Sequence, residues 1–499
     1  MTDQDRAART SRGARGSAAT GHPAATAAAL EVLRAGGNAV DAAVAAHAVL
    51  TVAMPDACGV GGDSLFLVRT PDGRVTAYNG TGAAPSAAPL PAPAPPVTAA
   101  DGGASVTVPG SVRAWCDLLA TAGRLPLDRV LAPAIALARD GLVVTAALTR
   151  AVTEQEHRLR RGGASSWSLL GTAAGARLVQ PRLARVLEKV ATEGAAGFYE
   201  GAVAEAVCRA VGRDGGAMAP ADLAAHRTVV AEPVTVPWAG GRVHVQPPSS
   251  QGVLLAMALQ WLDGRTDVVE PGAGHLDHLG VELTEAVFGF RDRCARDGAG
   301  LLSEPLDVDP ARAARRGGPR PYLHTTGVAV ADAEGTVVSS LLSVFDDFGA
   351  GTFVPEGGFV LNNRGAGFTA APNEPGPGRR PVHTLAPALV EGPDGVTALA
   401  TPGADGQVQT LLQVLTRVRF ADADLATAVA ASRWRSVESA LLVEQAHPSA
   451  IALTGRGHAV TPVADGDPRF GAVVAATWHP DTTTAAVGDW RRSVSTGGI

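Results

Sequence analysis

Lysine is almost missing from this 499-residue chain: Lys189 stands alone, so arginine supplies nearly all the fixed positive charge. Chemistry that runs through a Schiff-base or general-base lysine has a single, poorly placed candidate. The four cysteines, Cys58, Cys116, Cys208 and Cys294, are far apart and form no CxxC pair, which excludes a disulfide framework or a cysteine zinc site and reads as buried thiols. Aromatic residues make up 4% and charged residues 18%, and the net charge is −6 with no clustered basic run, so a nucleic-acid partner is excluded. No apolar stretch is long enough to span a bilayer: the most apolar, Ala39 to Met54, carries Asp41 and His47. The first twenty residues hold no apolar core of a leader, so a cytoplasmic location is the expectation, with neither membrane nor nucleic acid as partner. A small molecule is the expected partner.

What is present is a 46% hydrophobic composition, ample for a large buried core. Pro23 to Arg34 reads as a helix stopped by Gly36-Gly37; Asn38 then caps a second helix with Asp41 in its first turn. Ser64 to Arg69 and Arg74 to Asn79 read as a hairpin around Pro71-Asp72-Gly73. Ala83 to Pro96, dense in alanine and proline, is expected to be an extended surface connection. Helical periodicity then dominates, as in Leu127 to Arg139, which Pro133 is expected to kink or break, Pro181 to Val190 and His275 to Arg293. Beyond Arg320 strands take over, at Gly327 to Asp332, Thr336 to Val344 and Gly357 to Asn362, before a helix returns at Val408 to Arg417. The expected class is a layered α+β fold.

Thr325-Thr326 would by itself be no more than the start of a strand, since β-branched residues suit a pleated sheet. It opens an alternating hairpin and is followed by glycine-rich turns able to bring backbone donors to one strand end. In chain order stand Gly36-Gly37-Asn38-Ala39-Val40-Asp41-Ala42-Ala43, Gly59-Val60-Gly61-Gly62-Asp63, Val108-Pro109-Gly110, Pro133-Ala134-Ile135, Gly197-Phe198-Tyr199, Pro247-Pro248-Ser249-Ser250-Gln251-Gly252, Glu285-Ala286 and Thr325-Thr326-Gly327-Val328-Ala329-Val330. Together these resemble the gamma-glutamyltranspeptidase family over nearly the full length. The resemblance implies a four-layer αββα sandwich of the N-terminal-nucleophile type. It also implies a precursor cut between His324 and Thr325 into a large segment, 1–324, and a small segment, 325–499, which remain together as one unit. A threonine hydroxyl is a weak nucleophile, and a freed α-amine of pKa about 7.7–8.0 on the same residue can serve as its base. By the same resemblance the turn Pro402-Gly403-Ala404 supplies backbone N–H donors to the oxyanion, each worth roughly 2.7–4 kcal/mol. Family members commonly carry two glycines there; an alanine held at φ > 0 would cost about 1–2 kcal/mol. Ser343 is the expected hydrogen-bond partner of the Thr325 hydroxyl or amine. No cofactor is implied.

The set of residues that holds a glutamyl head in typical members is mostly replaced. Gly80-Thr81-Gly82-Ala83-Ala84-Pro85 contains no arginine, Phe345 stands where asparagine is expected, Arg364 and Gly367 replace the polar pair, and His383-Thr384 replace two serines. Without partners for the ammonium and carboxylate of glutamate, desolvating those charges is costly. The chain therefore resembles the glutamyltranspeptidase-like branch close to cephalosporin acylases, and an amidohydrolase or acyltransferase acting on a small carboxylate-bearing substrate is expected. Arg364 is the candidate anion anchor, with a plain ion pair as its alternative role. Phe345, His383 and Thr384 are the candidate pocket residues, His383 having a structural hydrogen-bonded role as its alternative. Two other readings stay open: hydrolysis of a carbon–carbon bond in an alkylproline-type antibiotic pathway, and an uncut binding or scaffold protein. His275, His278, Glu282 and Glu285 have helical metal-ligand spacing but fall on an ordinary family helix, so no metal is expected. Gly59-Val60-Gly61-Gly62 follows a helix, not a strand, and is no nucleotide fingerprint.

Overall fold

Along the strand Thr326–Asp332, Val328 and Val330 enter one hydrophobic cluster while Ala329 and Ala331 enter another. A strand shows alternate residues to opposite faces, so both faces of this one are covered. In this computed structural model, which describes residues 6–87, 101–270, 272–319, 325–481 and 483–499, the strand lies inside a seven-stranded sheet. Its antiparallel order is Ser495–Gly498, Gly16–Thr20, Thr326–Asp332, Val337–Ser343, Asp63–Arg69, Val75–Asn79 and Val229–Ala231. A second antiparallel seven-stranded sheet runs Arg9–Gly13, Thr484–Gly488, Val474–Trp478, Gly395–Ala400, Ala388–Gly392, Gly241–Val245 and Val234–Trp238.

Between the sheets lies an alanine-rich core that includes Leu65, Leu67, Leu341, Leu389, Ala398 and Val474. The far face of the first sheet, with Phe66, Val68, Val328, Val330 and Val338, packs on helices Pro23–Arg34, Ala39–Ala53, Ser111–Ala122 and Leu127–Asp140. The far face of the second packs on Gly252–Asp263, Ala273–Phe288 and Gly406–Phe420. This is the αββα sandwich. Both sheets combine strands from before and after Thr325.

The helix Ala39–Ala53 is buried all round, as its apolar composition demands. The Asn38 side chain accepts from the N–H groups of Val40 and Asp41, and the Asp41 carboxylate accepts from the Asn38 N–H at 2.8 Å. Of the kink or break expected at Pro133, the break does not occur: Leu127–Asp140 runs through it. The proline deprives only the carbonyl of exposed Arg129, four residues back, while Val130, Leu131, Ala134 and Ala138 bury one face; tertiary packing outweighs a local cost of about 3 kcal/mol. The strand expected over Gly357 to Asn362 shrinks to Phe359–Val360, and the helix ending at Phe288 gives way to a 3-10 turn at Arg291–Ala295. Most of the Ala-Pro connection lies outside the described residues. The cysteines are unpaired among the described residues, with Cys58 and Cys294 buried. No helix among these residues is long and apolar enough to cross a membrane.

Candidate active site

Register builds the site. Thr326 pairs with Leu342 and Ser343 pairs with Asp63, so Thr325, one residue ahead, stands across from Ser343. Three strands thus place Thr325, Ser343 and Asp63 in a row at one end of the first sheet. Thr325 is 2% exposed, and its hydroxyl donates to Ser343 Oγ at 3.4 Å, which also accepts the Phe345 N–H at 2.9 Å. The glycines before Asp63 permit this crowding: a Cβ on Gly62 would lie 2.4 Å from the Ser343 carbonyl oxygen, and one on Gly61 would lie 2.2 Å from that of Val360. Their role is close packing against the neighbours of Thr325.

Asp63, Arg364 and His383 are fully buried together. Arg364 Nε donates to Asp63 Oδ2 at 3.2 Å, and His383 Nε2 reaches the same oxygen at 3.4 Å. His383 Nδ1 accepts the Leu385 N–H at 3.1 Å, which fixes a neutral ring protonated on Nε2. Burial, reinforced by the Arg364 charge, pushes His383 down to about 4. Burial opposes the charge of Asp63 as well, yet the hydrogen bond from His383 and the Arg364 guanidinium hold its carboxyl below the ordinary range. The guanidinium carbon lies 4.3 Å from the centre of the Phe345 ring, a cation–π contact, and Nη1 and Nη2 have no partner among the described residues. The expected anion anchor is thus engaged by the chain's own carboxylate through one edge only. Both ring nitrogens of His383 are occupied by protein groups.

The turn after Gly395–Ala400 has φ +124° at Gly403 and +48° at Ala404, so alanine does occupy the left-handed region here. Among the described residues the N–H groups of Gly403 and Ala404 donate to no oxygen, while their carbonyls accept from Arg435 at 3.1 Å and Gln251 at 3.0 Å. The Gln251 amide also donates to the Thr384 carbonyl at 2.9 Å, tying the His383-Thr384 segment to the turn. Neither Asp63 nor Gln251 was assigned a role from sequence, although both stand in motifs that were noted: an acid after a glycine run and an amide after two serines.

Two cavities touch residues of the site, the first at Phe345 and the second at Thr325. One, of about 650 Å³, is lined by Phe345, Gly367, Asp405 and Arg291, and by Arg316 and Pro319 from the chain ahead of the threonine. The other, of about 380 Å³, is lined by Thr325, Thr326, Gly327 and Pro402. His324 lies outside the described residues. The histidine-rich helix does not gather its four candidates: His275 Nε2 meets the Pro310 carbonyl, and Glu285 accepts from Ser436. His278 and Glu282 meet His458 instead, with ligand atoms within 4.8 Å of one another. The His278 Nδ1 to His458 Nε2 distance is 2.8 Å, and Glu282 accepts from Ala314 and Arg316, so hydrogen bonds account for the cluster.

Comparisons with known proteins give the family. A profile of the gamma-glutamyltranspeptidase family matches residues 25–301 and 302–499. The oxamate amidohydrolase proenzyme of Klebsiella pneumoniae is 33% identical over 502 residues, covering 93% of this chain and 95% of that protein. The acylase ACY 1 proenzyme of Pseudomonas sp. strain SE83 is 33% identical over 96% of this chain and 92% of its own length. The crystal structure of cephalosporin acylase from Bacillus halodurans superposes with a TM-score of 0.86 at 28% identity, covering 98% of this chain and 97% of that one. The chain is an enzyme, and it belongs to the gamma-glutamyltranspeptidase family.

Proposed function

We propose that the chain is a proenzyme that cuts itself between His324 and Thr325 and then hydrolyses the amide of a small, carboxylate-bearing acyl compound, with Thr325 as nucleophile. The observation that carries this reading is the place of Thr325: directly ahead of a central strand, across from Ser343, in the wall of a cavity it shares with Pro402. The names of the oxamate amidohydrolase and acylase relatives support amide chemistry. The large segment is 1–324 and the small one 325–499.

In turnover the Thr325 α-amine takes the hydroxyl proton as Oγ bonds to the amide carbon. The carbon–nitrogen bond then breaks, and the proton leaves with the amine. Water opens the resulting ester, releasing the acid and restoring the hydroxyl. The N–H groups of Gly403 and Ala404, which donate to no oxygen among the described residues, serve the oxyanion. Ser343 orients the hydroxyl, Phe345 and Thr384 shape the acyl side, and Arg364 offers Nη1 and Nη2 to the substrate carboxylate while Asp63 keeps Nε. His383 acts through Asp63 without titrating near neutrality.

The test is denaturing electrophoresis with N-terminal sequencing of the small piece. Two pieces, the smaller beginning at Thr325, and loss of both cutting and turnover in Thr325→Ala are expected. A single full-length band from folded, active protein would refute the reading.

A further inference from the structure

In a trans peptide the C=O and the N–H that follows it point in opposite directions, so a carbonyl that is held aims the next N–H. The turn at Gly403 and Ala404 holds three carbonyls in succession. That of Pro402, in the plane of the Gly403 N–H, accepts from Thr401 Oγ1 at 3.0 Å. That of Gly403, in the plane of the Ala404 N–H, accepts from Arg435 Nη2 at 3.1 Å and from the Gly406 N–H at 2.8 Å. That of Ala404 accepts from Gln251 Nε2 and from the Gln407 N–H, each at 3.0 Å. The middle plane is the strained one. Ala404 sits at φ +48°, and turning that plane over would carry the angle to about −130°, ordinary extended backbone, while glycine at 403 tolerates either setting of its ψ. With the planes on both sides held, the rotation stays local, and relief of strain favours an N–H that points away from the site.

Arg435 opposes that rotation. It stands on the strand Trp434–Val437, is 2% exposed, and donates through Nη1 to the Arg469 carbonyl. Its guanidinium lies so close under the turn that a Cβ on Gly406 would be 2.8 Å from Cζ. A hydrogen bond from a charged donor is stronger than the neutral one from Gly406, and it polarises the peptide so that the N–H of the same plane donates better.

We infer that Arg435 is a positioning residue that keeps the Gly403–Ala404 peptide from turning over, so that a turn with alanine in place of a second glycine still presents the Ala404 N–H to the oxyanion. The inference rests on the reading of that N–H as an oxyanion donor.

Mature Arg435→Met is compared with native enzyme on glutaryl p-nitroanilide, and its crystal structure is solved. Left-handed strain favours the turned plane and the remaining Gly406 bond offsets part of it, so kcat is expected to fall roughly 2- to 10-fold with KM unchanged. In an Ala404→Gly background, where the strain is gone, the same substitution is expected to cost less than about twofold. Arg435→Lys, which keeps the buried charge and guards against misfolding, should show the same pattern at smaller amplitude. The crystal structure should show the turned plane. An unturned plane in Arg435→Met, a loss of equal size in the alanine and glycine backgrounds, or a loss confined to KM overturns the inference. If Thr325→Ala still hydrolyses the anilide, or native enzyme does not, the reading beneath the inference fails, and the plane seen in the crystal decides the role of Arg435 by itself.

Discussion

Replacing Asp63 by asparagine isolates the one charge that faces Arg364 in a hydrogen-bonded pair. Both side chains are fully buried, and among the described residues Nη1 and Nη2 of the guanidinium lack partners, so Nε to Asp63 is its one protein hydrogen bond from the side chain. Removing one member of a buried pair leaves an uncompensated charge and costs about 3–5 kcal/mol. The Phe345 face returns only about 0.5–2 kcal/mol and is present in both forms. Asp63→Asn is therefore expected to lower unfolding stability by about 3–5 kcal/mol. Arg364→Met added to it should recover much of that loss, because both charges are then gone. Urea unfolding at pH 7 in the uncut Thr325→Ala background, which keeps a single chain, measures all corners of the cycle. Additive effects, within about 0.5 kcal/mol, would refute the pairing. The pH dependence has a definite sign. The folded-state pKa of Asp63 lies below its ordinary value, so its contribution is full above the unfolded value of about 3.9 and fades as pH falls through the lower folded value. The stability gap between native and Asp63→Asn should thus stay constant from neutrality down to about pH 4 and narrow only below it.

Ser343→Ala removes the acceptor of the Thr325 hydroxyl; a net hydrogen bond of about 0.5–1.5 kcal/mol corresponds to a roughly 2- to 12-fold fall in kcat, measured on protein already cut, with no change greater than that expected in KM. The rate should rise with pH through about 7.7–8.0 as the Thr325 α-amine loses its proton, and His383→Gln should leave that midpoint in place, since His383 is already neutral above about 4; a shifted midpoint would mean that the imidazole is the base.

The layered α+β class was legible because its chemistry is local, while the four-layer αββα arrangement came from the family resemblance. The Asn38 cap, the turn at Pro71-Asp72-Gly73 and the Val/Ala alternation after Thr326 each name their element from a few neighbouring residues. What escaped was the polar chain start, Arg9–Gly13 and Gly16–Thr20, whose strands exist because Thr484–Gly488, Thr326–Asp332 and Ser495–Gly498 pair with them. Pro133 shows the same thing from the other side. A residue that argues against a helix locally is outvoted by Val130, Leu131, Ala134 and Ala138, whose burial belongs to partners elsewhere in the chain.

The site divides along the same line. Thr325 and the Gly403-Ala404 turn could be singled out through the family resemblance, whose motifs are read along the chain, and Ser343 as the proposed partner of Thr325 across the hairpin. The electrostatics of Arg364 could not, because its Asp63 partner is 301 positions away and arrives through strand pairing. An arginine motif alone allows either an anion anchor or an ion pair, and the fold makes the question quantitative. Asp63 binds Nε only, so a carboxylate meeting Nη1 and Nη2 would form a second ion pair without breaking the first. The native pair would then be a condition of substrate binding, since it pays the desolvation of the guanidinium before the substrate arrives. On that logic Arg364→Lys, which keeps the charge but loses the planar fork, should damage substrate binding while retaining much of the stability that Asp63→Asn removes. Equal loss of both would return Arg364 to a purely structural role.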